Sequence, residues 1–192
     1  KMGKKITIDS SNLMNKIFEL VEAQKLFDLS ADKIDILIHP NSLVHAILEL
    51  KNGLKKFIYH ETSMKIPLAN AIFDDAINID KIYKIKSSIE FENLIFKRVD
   101  KKIFPSIKLK NKINQYPSSP IIINSANEIL VDQFLKKKIA FLDINRIIMA
   151  ILKDINYKKY AIKKPKNLNQ INLVDIWARS TTLKIIKKKI DV

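Results

Sequence analysis

Residues 9–19, Asp-Ser-Ser-Asn-Leu-Met-Asn-Lys-Ile-Phe-Glu, gather a hydroxyl, an amide, an ammonium and a carboxylate within eleven positions. Those types suit an anion. Ser10 and Asn15 can donate to phosphate oxygens, and Lys16 adds a point charge. Glu19 lies four residues after Asn15 and Glu22 three after Glu19, so all three can share one helix face. A carboxylate one turn below a phosphate site is where a hard divalent cation would bind. The competing reading makes Ser10 an N-cap and Glu19 a solvated surface charge.

The elements around this stretch must position it. Ile6-Thr7-Ile8 reads as a short strand within residues 5–9, and residues 11–28 read as a helix. In that helix Leu20, Val21, Ala23, Leu26 and Phe27 continue an apolar stripe. A strand, a polar turn and a helix N-terminus would aim free N–H groups and the positive dipole end at one spot. Residues 33–39 read as a second strand, since Ile34, Ile36 and Ile38 alternate with polar neighbours. Residues 45–50 and 54–60 flank Asn52-Gly53, the strongest hairpin signal in the chain. Leu94-Ile95-Phe96 looks strand-like inside a charged linker. Beyond Phe104-Pro105 the period turns helical. Ser125-x-x-Glu128 resembles a capping box. Asp143 can start the next helix, residues 157–170 form a basic loop, and residues 173–186 make a final amphipathic helix containing Trp177, expected in the core. The fold class is therefore α+β. A mixed sheet with flanking helices over residues 1–80 is followed by a linker over 81–103 and a small C-terminal helical bundle over 104–192.

The chain has 192 residues, 47% of them hydrophobic, and no cysteine. That supports a packed core and excludes disulfide and thiol chemistry. No apolar run approaches the roughly 20 residues that span a bilayer, so no membrane is expected, and a reducing cytoplasm is the default compartment. The net charge of +15 raises nucleic acid as a partner. Its distribution argues against that. Residues 1–100 are nearly balanced, and the excess lies in C-terminal lysine runs such as Lys136-Lys137-Lys138 and Lys187-Lys188-Lys189, with only three arginines. Base readout favours Arg, and single-strand binding wants interleaved exposed aromatics. The runs read as solvated faces.

Ordered segments add a resemblance. Met2–Ser10 with Met14-Asn15-Lys16 and Glu19 are followed by Glu22-Ala23, Ile38–His45, Met64 with Ile66–Ala69, Phe104–Leu109 and Asn124–Glu128. Together they resemble 1-deoxy-D-xylulose 5-phosphate reductoisomerases. The resemblance implies NADPH-dependent rearrangement and reduction of 1-deoxy-D-xylulose 5-phosphate to 2-C-methyl-D-erythritol 4-phosphate, with Mg²⁺ or Mn²⁺, in non-mevalonate isoprenoid synthesis. It implies substrate or phosphate contacts from Ser10, Asn15, Lys16 and Glu19, metal ligation by Glu19, and an NADPH contact at Gly3. It gives His45 a supporting role and makes the segment around Met64 a lid. Asn124, Asn127 and Glu128 are expected as caps and interdomain hydrogen-bonding groups. His39 and His45, six apart and straddling Pro40, fit no helical metal spacing. It further implies a homodimer for the full-length enzyme and a cytoplasmic or plastid-type location. Thr62-Ser63-Met64 and Phe73-Asp74-Asp75 depart from the family's usual residues.

The family opens with a nucleotide-binding domain and an Asp-x-Glu metal pair. With two glycines and no Asp-x-Glu, this chain resembles the C-terminal part alone. The rival from another class is a basic α+β RNA-binding or ribosome-associated module. A third reading is a remnant that keeps the fold without activity. The enzyme reading predicts that the purified 192-residue chain consumes no NADPH with the sugar phosphate. Measurable loss of absorbance at the nicotinamide band would contradict it.

Overall fold

The computed structural model describes residues 3–73, 77–84 and 94–190, with residues 189 and 190 described by their backbone alone. Asp74, Asp75 and the middle of the expected linker lie outside the described residues. The chain divides into two compact units. One joins residues 1–36 to 99–192, and the other is residues 37–98. These boundaries cut the chain elsewhere than at 80 and 104.

In the first unit, helix α1 (Lys4–Ser11) and helix α2 (Met14–Phe27) come first. The expected strand at Ile6–Ile8 is thus a helix. The β-branched run is outweighed by pairs that only a helix can form. Lys5 Nζ reaches Asp9 at 2.8 Å four residues on, and Thr7 Oγ1 donates to the Gly3 carbonyl four residues back. Asp9 and Asn12 are both buried, at a spacing that leaves one helix face turned inward. After the break come a 3-10 turn at Pro105–Asn111 and helices α4 (Ser119–Leu135), α5 (Phe141–Ile151), α6 (Tyr157–Ala161) and α7 (Leu168–Ile190). Helices α4, α5 and α7 pack on one another, and α4 also meets α1 and α2. Ile122, Ala126 and Leu130 of α4, Ile144 and Ile148 of α5, Ala178 of α7 and Met14 and Ile17 of α2 form one fully buried cluster. Burying each of the Ile, Leu and Met side chains stabilises by about 1.5–3 kcal/mol before entropy is counted. Trp177 is half-buried against this core, its ring stacked on Tyr160 at 4.6 Å.

The bundle's ends correct two expectations. Ser125 and Glu128 do not cap a helix start, because α4 begins six residues earlier, at Ser119-Pro120. Pro fits a first turn, where its missing N–H is not needed. The expected basic loop opens with α6. Asp143 does serve the start of α5: its carboxylate accepts from the Ala140 N–H at 3.0 Å.

The second unit holds β1 (Leu37–Ile38), β2 (Val44–Glu49), β3 (Lys55–Tyr59), helix α3 (Lys65–Phe73) and β4 (Lys97–Arg98). The class is α+β. In place of a mixed sheet, the described residues form two antiparallel pairs, β1 with β4 and β2 with β3. The alternation at Ile34, Ile36 and Ile38 survives as alternating burial. Yet only Leu37 and Ile38 find strand partners, Arg98 and Lys97; residues 31–33 form a 3-10 turn. The Leu94–Phe96 piece precedes β4 rather than pairing itself. The hairpin stands where Asn52-Gly53 places it. Gly53 takes φ +84°, a conformation that glycine adopts without strain, and Asn52 Oδ1 accepts from the Leu54 N–H.

Ser125 and Glu128 act between helices. Arg179 of α7 donates to Glu128 at 2.5 Å and to both Asp175 oxygens at 2.9 Å. Ser125 Oγ lies 2.6 Å from Asp175. Partial burial would raise the Asp175 carboxyl, but the hydrogen bonds from Arg179 and Ser125 outweigh it and hold the group below the ordinary carboxylate range. A depressed folded-state pKa contributes stability above the unfolded value, about 3.9, and loses it as pH falls through the folded value. Thermal midpoints measured from pH 6 to 3 should fall less steeply in Asp175→Asn than in the parent chain.

Candidate functional site

The α1–α2 turn is held from below. Asn12 is 3% exposed. Its Oδ1 accepts from the Met14 N–H at 2.9 Å, which satisfies one donor at the start of α2. Leu13 sits at φ 62°, ψ 11°, a left-handed conformation that costs an L-residue about 1–2 kcal/mol. Such a conformation persists where the surroundings fix it. Here the Ser106 hydroxyl donates to the Asn12 carbonyl from 94 residues away, and the Leu13 N–H donates to the Ser10 carbonyl. Asp9, 2% exposed, accepts from Lys5 Nζ and from Asn127 Nδ2, each at 2.8 Å. Among the described residues, Asn12 Nδ2 and Asn127 Oδ1 find no hydrogen-bond partner though buried, at about 1–3 kcal/mol each.

Above this turn, three of the expected residues converge. Asn15 Nδ2 donates to Glu19 Oε1 at 2.5 Å, and Lys16 Nζ to Glu19 Oε2 at 2.7 Å. The Lys16 and Glu19 side chains are 50% and 44% exposed, so the cluster faces solvent. Ser10 is exposed on the last turn of α1. Among the described residues no hydrogen bond ties it to the cluster. The scaffold is therefore helix–turn–helix rather than strand–turn–helix, and the α2 N-terminus still supplies donors beside Asn15 and Lys16.

The Glu19 carboxylate is a hard oxygen donor of the kind Mg²⁺ or Mn²⁺ takes. Among the described residues no three His, Cys, Asp or Glu side chains gather to hold an ion. Glu19 fits as one ligand of a larger set. Gly3 is exposed at the start of α1, and a Cβ built there meets nothing within 4 Å. The chain itself makes no steric demand for glycine at that position.

His45 belongs to the second unit. It stands where the β2–β3 register shifts between Val44 and Ala46, an irregularity that re-aims a side chain. Its ring stacks on His60 at 3.8 Å and 11°, and His45 Nε2 lies 3.2 Å from the His60 carbonyl oxygen. His39 is held by the Ile95 carbonyl through Nδ1 and packs on Phe96. Met64 is 70% exposed just before α3. Asn124 Nδ2 lies 3.5 Å from Glu128 Oε1.

Sequence reasoning missed Asn12, Ser106 and the Asp9–Asn127 pair. The helical spacing of Lys5, Asp9 and Asn12 was a usable signal for a buried polar face. The partners on α4 and at Pro105–Asn111 had no local signal.

Comparison with known proteins follows this geometry. Residues 60–181 match the DXP reductoisomerase C-terminal domain, and residues 1–27 match the 1-deoxy-D-xylulose 5-phosphate reductoisomerase C-terminal domain. The reductoisomerase of Pelagibacter ubique is 44% identical over 179 residues, covering 91% of this chain and 45% of that protein. That of the Wolbachia of Culex pipiens is 36% identical over 194 residues, covering 98% and 48%. A crystal structure of DOX-P reductoisomerase with NADPH, fosmidomycin and magnesium superposes with a TM-score of 0.89 at 33% identity, covering 97% of this chain and 47% of that one. The chain thus spans about half the length of the relatives it matches. Between the enzyme family and an RNA-binding module these matches decide: the chain belongs to the 1-deoxy-D-xylulose 5-phosphate reductoisomerase family and corresponds to its C-terminal part.

Proposed function

We propose that this chain supplies the phosphate-binding helix start and one metal carboxylate of an NADPH-dependent enzyme. That enzyme rearranges and reduces 1-deoxy-D-xylulose 5-phosphate to 2-C-methyl-D-erythritol 4-phosphate in non-mevalonate isoprenoid synthesis. The observation that carries the reading is the convergence of Asn15 and Lys16 on Glu19 at the start of α2, in a chain of this family. Solved relatives bind NADPH and magnesium, which supports the same cofactors here.

In this reading Lys16 and Asn15 serve two acceptors. Without substrate they hold the Glu19 carboxylate. A phosphate dianion offers them shorter, charge-assisted hydrogen bonds, and Ser10 adds a hydroxyl from the end of α1. Glu19 would be one ligand of a bound Mg²⁺ or Mn²⁺, which would supply Lewis-acid polarisation of the substrate's carbonyl and hydroxyl oxygens. Gly3 leaves room for NADPH against the chain's N-terminal backbone. His45, at the bulge of the second unit and stacked on His60, takes a supporting role in the enzyme. Residues 1–80 act as part of the catalytic domain, 81–103 as linker and 104–192 as the C-terminal bundle. The working enzyme is a homodimer of the cytoplasm or a plastid-type organelle, free of nucleic acid and membrane. Among the described residues no helix is long and apolar enough to cross a bilayer.

In the enzyme that contains this chain, Lys16→Ala should raise KM for the sugar phosphate by roughly 10–100-fold, since a hydrogen bond to a charged group is worth about 1.5–3 kcal/mol. Glu19→Gln should lower kcat and the affinity for Mn²⁺ while leaving the circular dichroism spectrum intact. An unchanged kcat in Glu19→Gln would remove Glu19 from the chemistry, and an unchanged KM in Lys16→Ala would remove the phosphate assignment.

A further inference from the structure

The best-buried polar groups near the cluster lie under it rather than in it. Asn127 is 0% exposed in the middle of α4, and Ser106 is 1% exposed at the start of the Pro105–Asn111 turn. Each sends one hydrogen bond to the same short stretch. Asn127 Nδ2 grips Asp9, the neighbour of Ser10. The Ser106 hydroxyl grips the Asn12 carbonyl, next to left-handed Leu13 and three residues before Asn15. Neither contact is needed to start α2, because Asn12 Oδ1 already caps Met14. Their geometric effect is to fix where α1 stops and in which direction α2 leaves. That direction decides where Asn15, Lys16 and Glu19 stand relative to Ser10.

We propose that Ser106 and Asn127 are positioning residues for the sugar-phosphate end of the site. They act through Asn12 and Asp9, and they touch neither substrate nor cofactor. The inference rests on the phosphate reading of Ser10, Asn15 and Lys16. A turn pinned at both ends spares the ligand the ordering of its own donors, and loss of a pin reappears as weaker binding.

Two measurements separate this inference from the reading beneath it. The first needs no activity. In the 192-residue chain, amide hydrogen exchange at Leu13 and Met14 should quicken about tenfold in Ser106→Ala, the factor for one lost hydrogen bond of ordinary strength, with α5 and α7 unchanged. Exchange that stays the same, or quickens evenly throughout, overturns the proposal. The second uses the enzyme containing this chain. Ser106→Ala and Asn127→Leu should each raise KM for 1-deoxy-D-xylulose 5-phosphate several-fold and leave KM for NADPH within twofold. Equal loss at both substrates, or loss of thermal stability with both KM values unchanged, means a merely structural role and overturns it. Should Asn127→Leu fail to fold, Ser106→Ala alone decides, since it removes one oxygen and opens little space. A parent enzyme inert toward the sugar phosphate would instead sink the functional reading and leave the exchange result standing.

Discussion

A carboxylate that is taken out of water must be answered by donors, and Asp9 sets that condition for the first unit. Its two oxygens face Lys5 from its own helix and Asn127 from α4. Burying an unpaired charge costs far more than any single packing contact returns. The fold therefore cannot seat α1 anywhere that lacks an amide donor at that depth. With α1 so placed, Asn12 is carried inward, the chain reverses through Leu13, and Met14 and Ile17 enter the core shared with α4 and α5. The polar face of α2 is left outside with Asn15, Lys16 and Glu19. Burial on one side of the turn and chemistry on the other are two results of one satisfied charge.

Much of this was legible in the sequence. The α2 helix, the Asn52-Gly53 hairpin, the helical C-terminal half and the Asn15–Lys16–Glu19 grouping all follow from local spacing. What was not legible depends on partners far along the chain. Ile6-Thr7-Ile8 has the composition of a strand, and nothing nearby shows that Asp9 will be buried against residue 127. Ile34–Ile38 has the alternation of a strand, and its burial does alternate, but a ladder needs a partner and β4 offers two residues. Ser125 and Glu128 have the spacing of a capping box. They are instead claimed by Asp175 and Arg179, about fifty positions later. Tertiary hydrogen bonding overrode the local pattern at Ser125 and Glu128, and a short partner strand did so at Ile34–Ile38.

The second unit shows a different economy. Its described ladders are short, and Phe57, Ile58, Leu68 and Ile72 stand substantially exposed. Order there comes from side-chain detail at the turns and bulge: Gly53 at positive φ, Asn52 on Leu54, the His45–His60 stack, and the Tyr83 hydroxyl donating to Glu61. That last bond, with burial and the nearby carboxylate charge adding to it, raises the Tyr83 phenol above its usual range.

The first unit is discontinuous, built from residues 1–36 and 99–192. A ribosome therefore makes the two helices of the candidate site long before their support. Asp9 and Asn127 are 118 residues apart. At about 5–20 residues per second the gap is roughly 6–24 seconds of synthesis. During that interval Asp9 stays hydrated, Met14 and Ile17 have no core to enter, and the turn at Leu13 lacks the Ser106 bond that helps hold its left-handed state. Until α4 emerges, the apolar face of the nascent α1–α2 segment has no partner from that helix to pack against. A message that pauses between the codons for residues 37 and 118 prolongs that exposure without changing one residue of the finished protein.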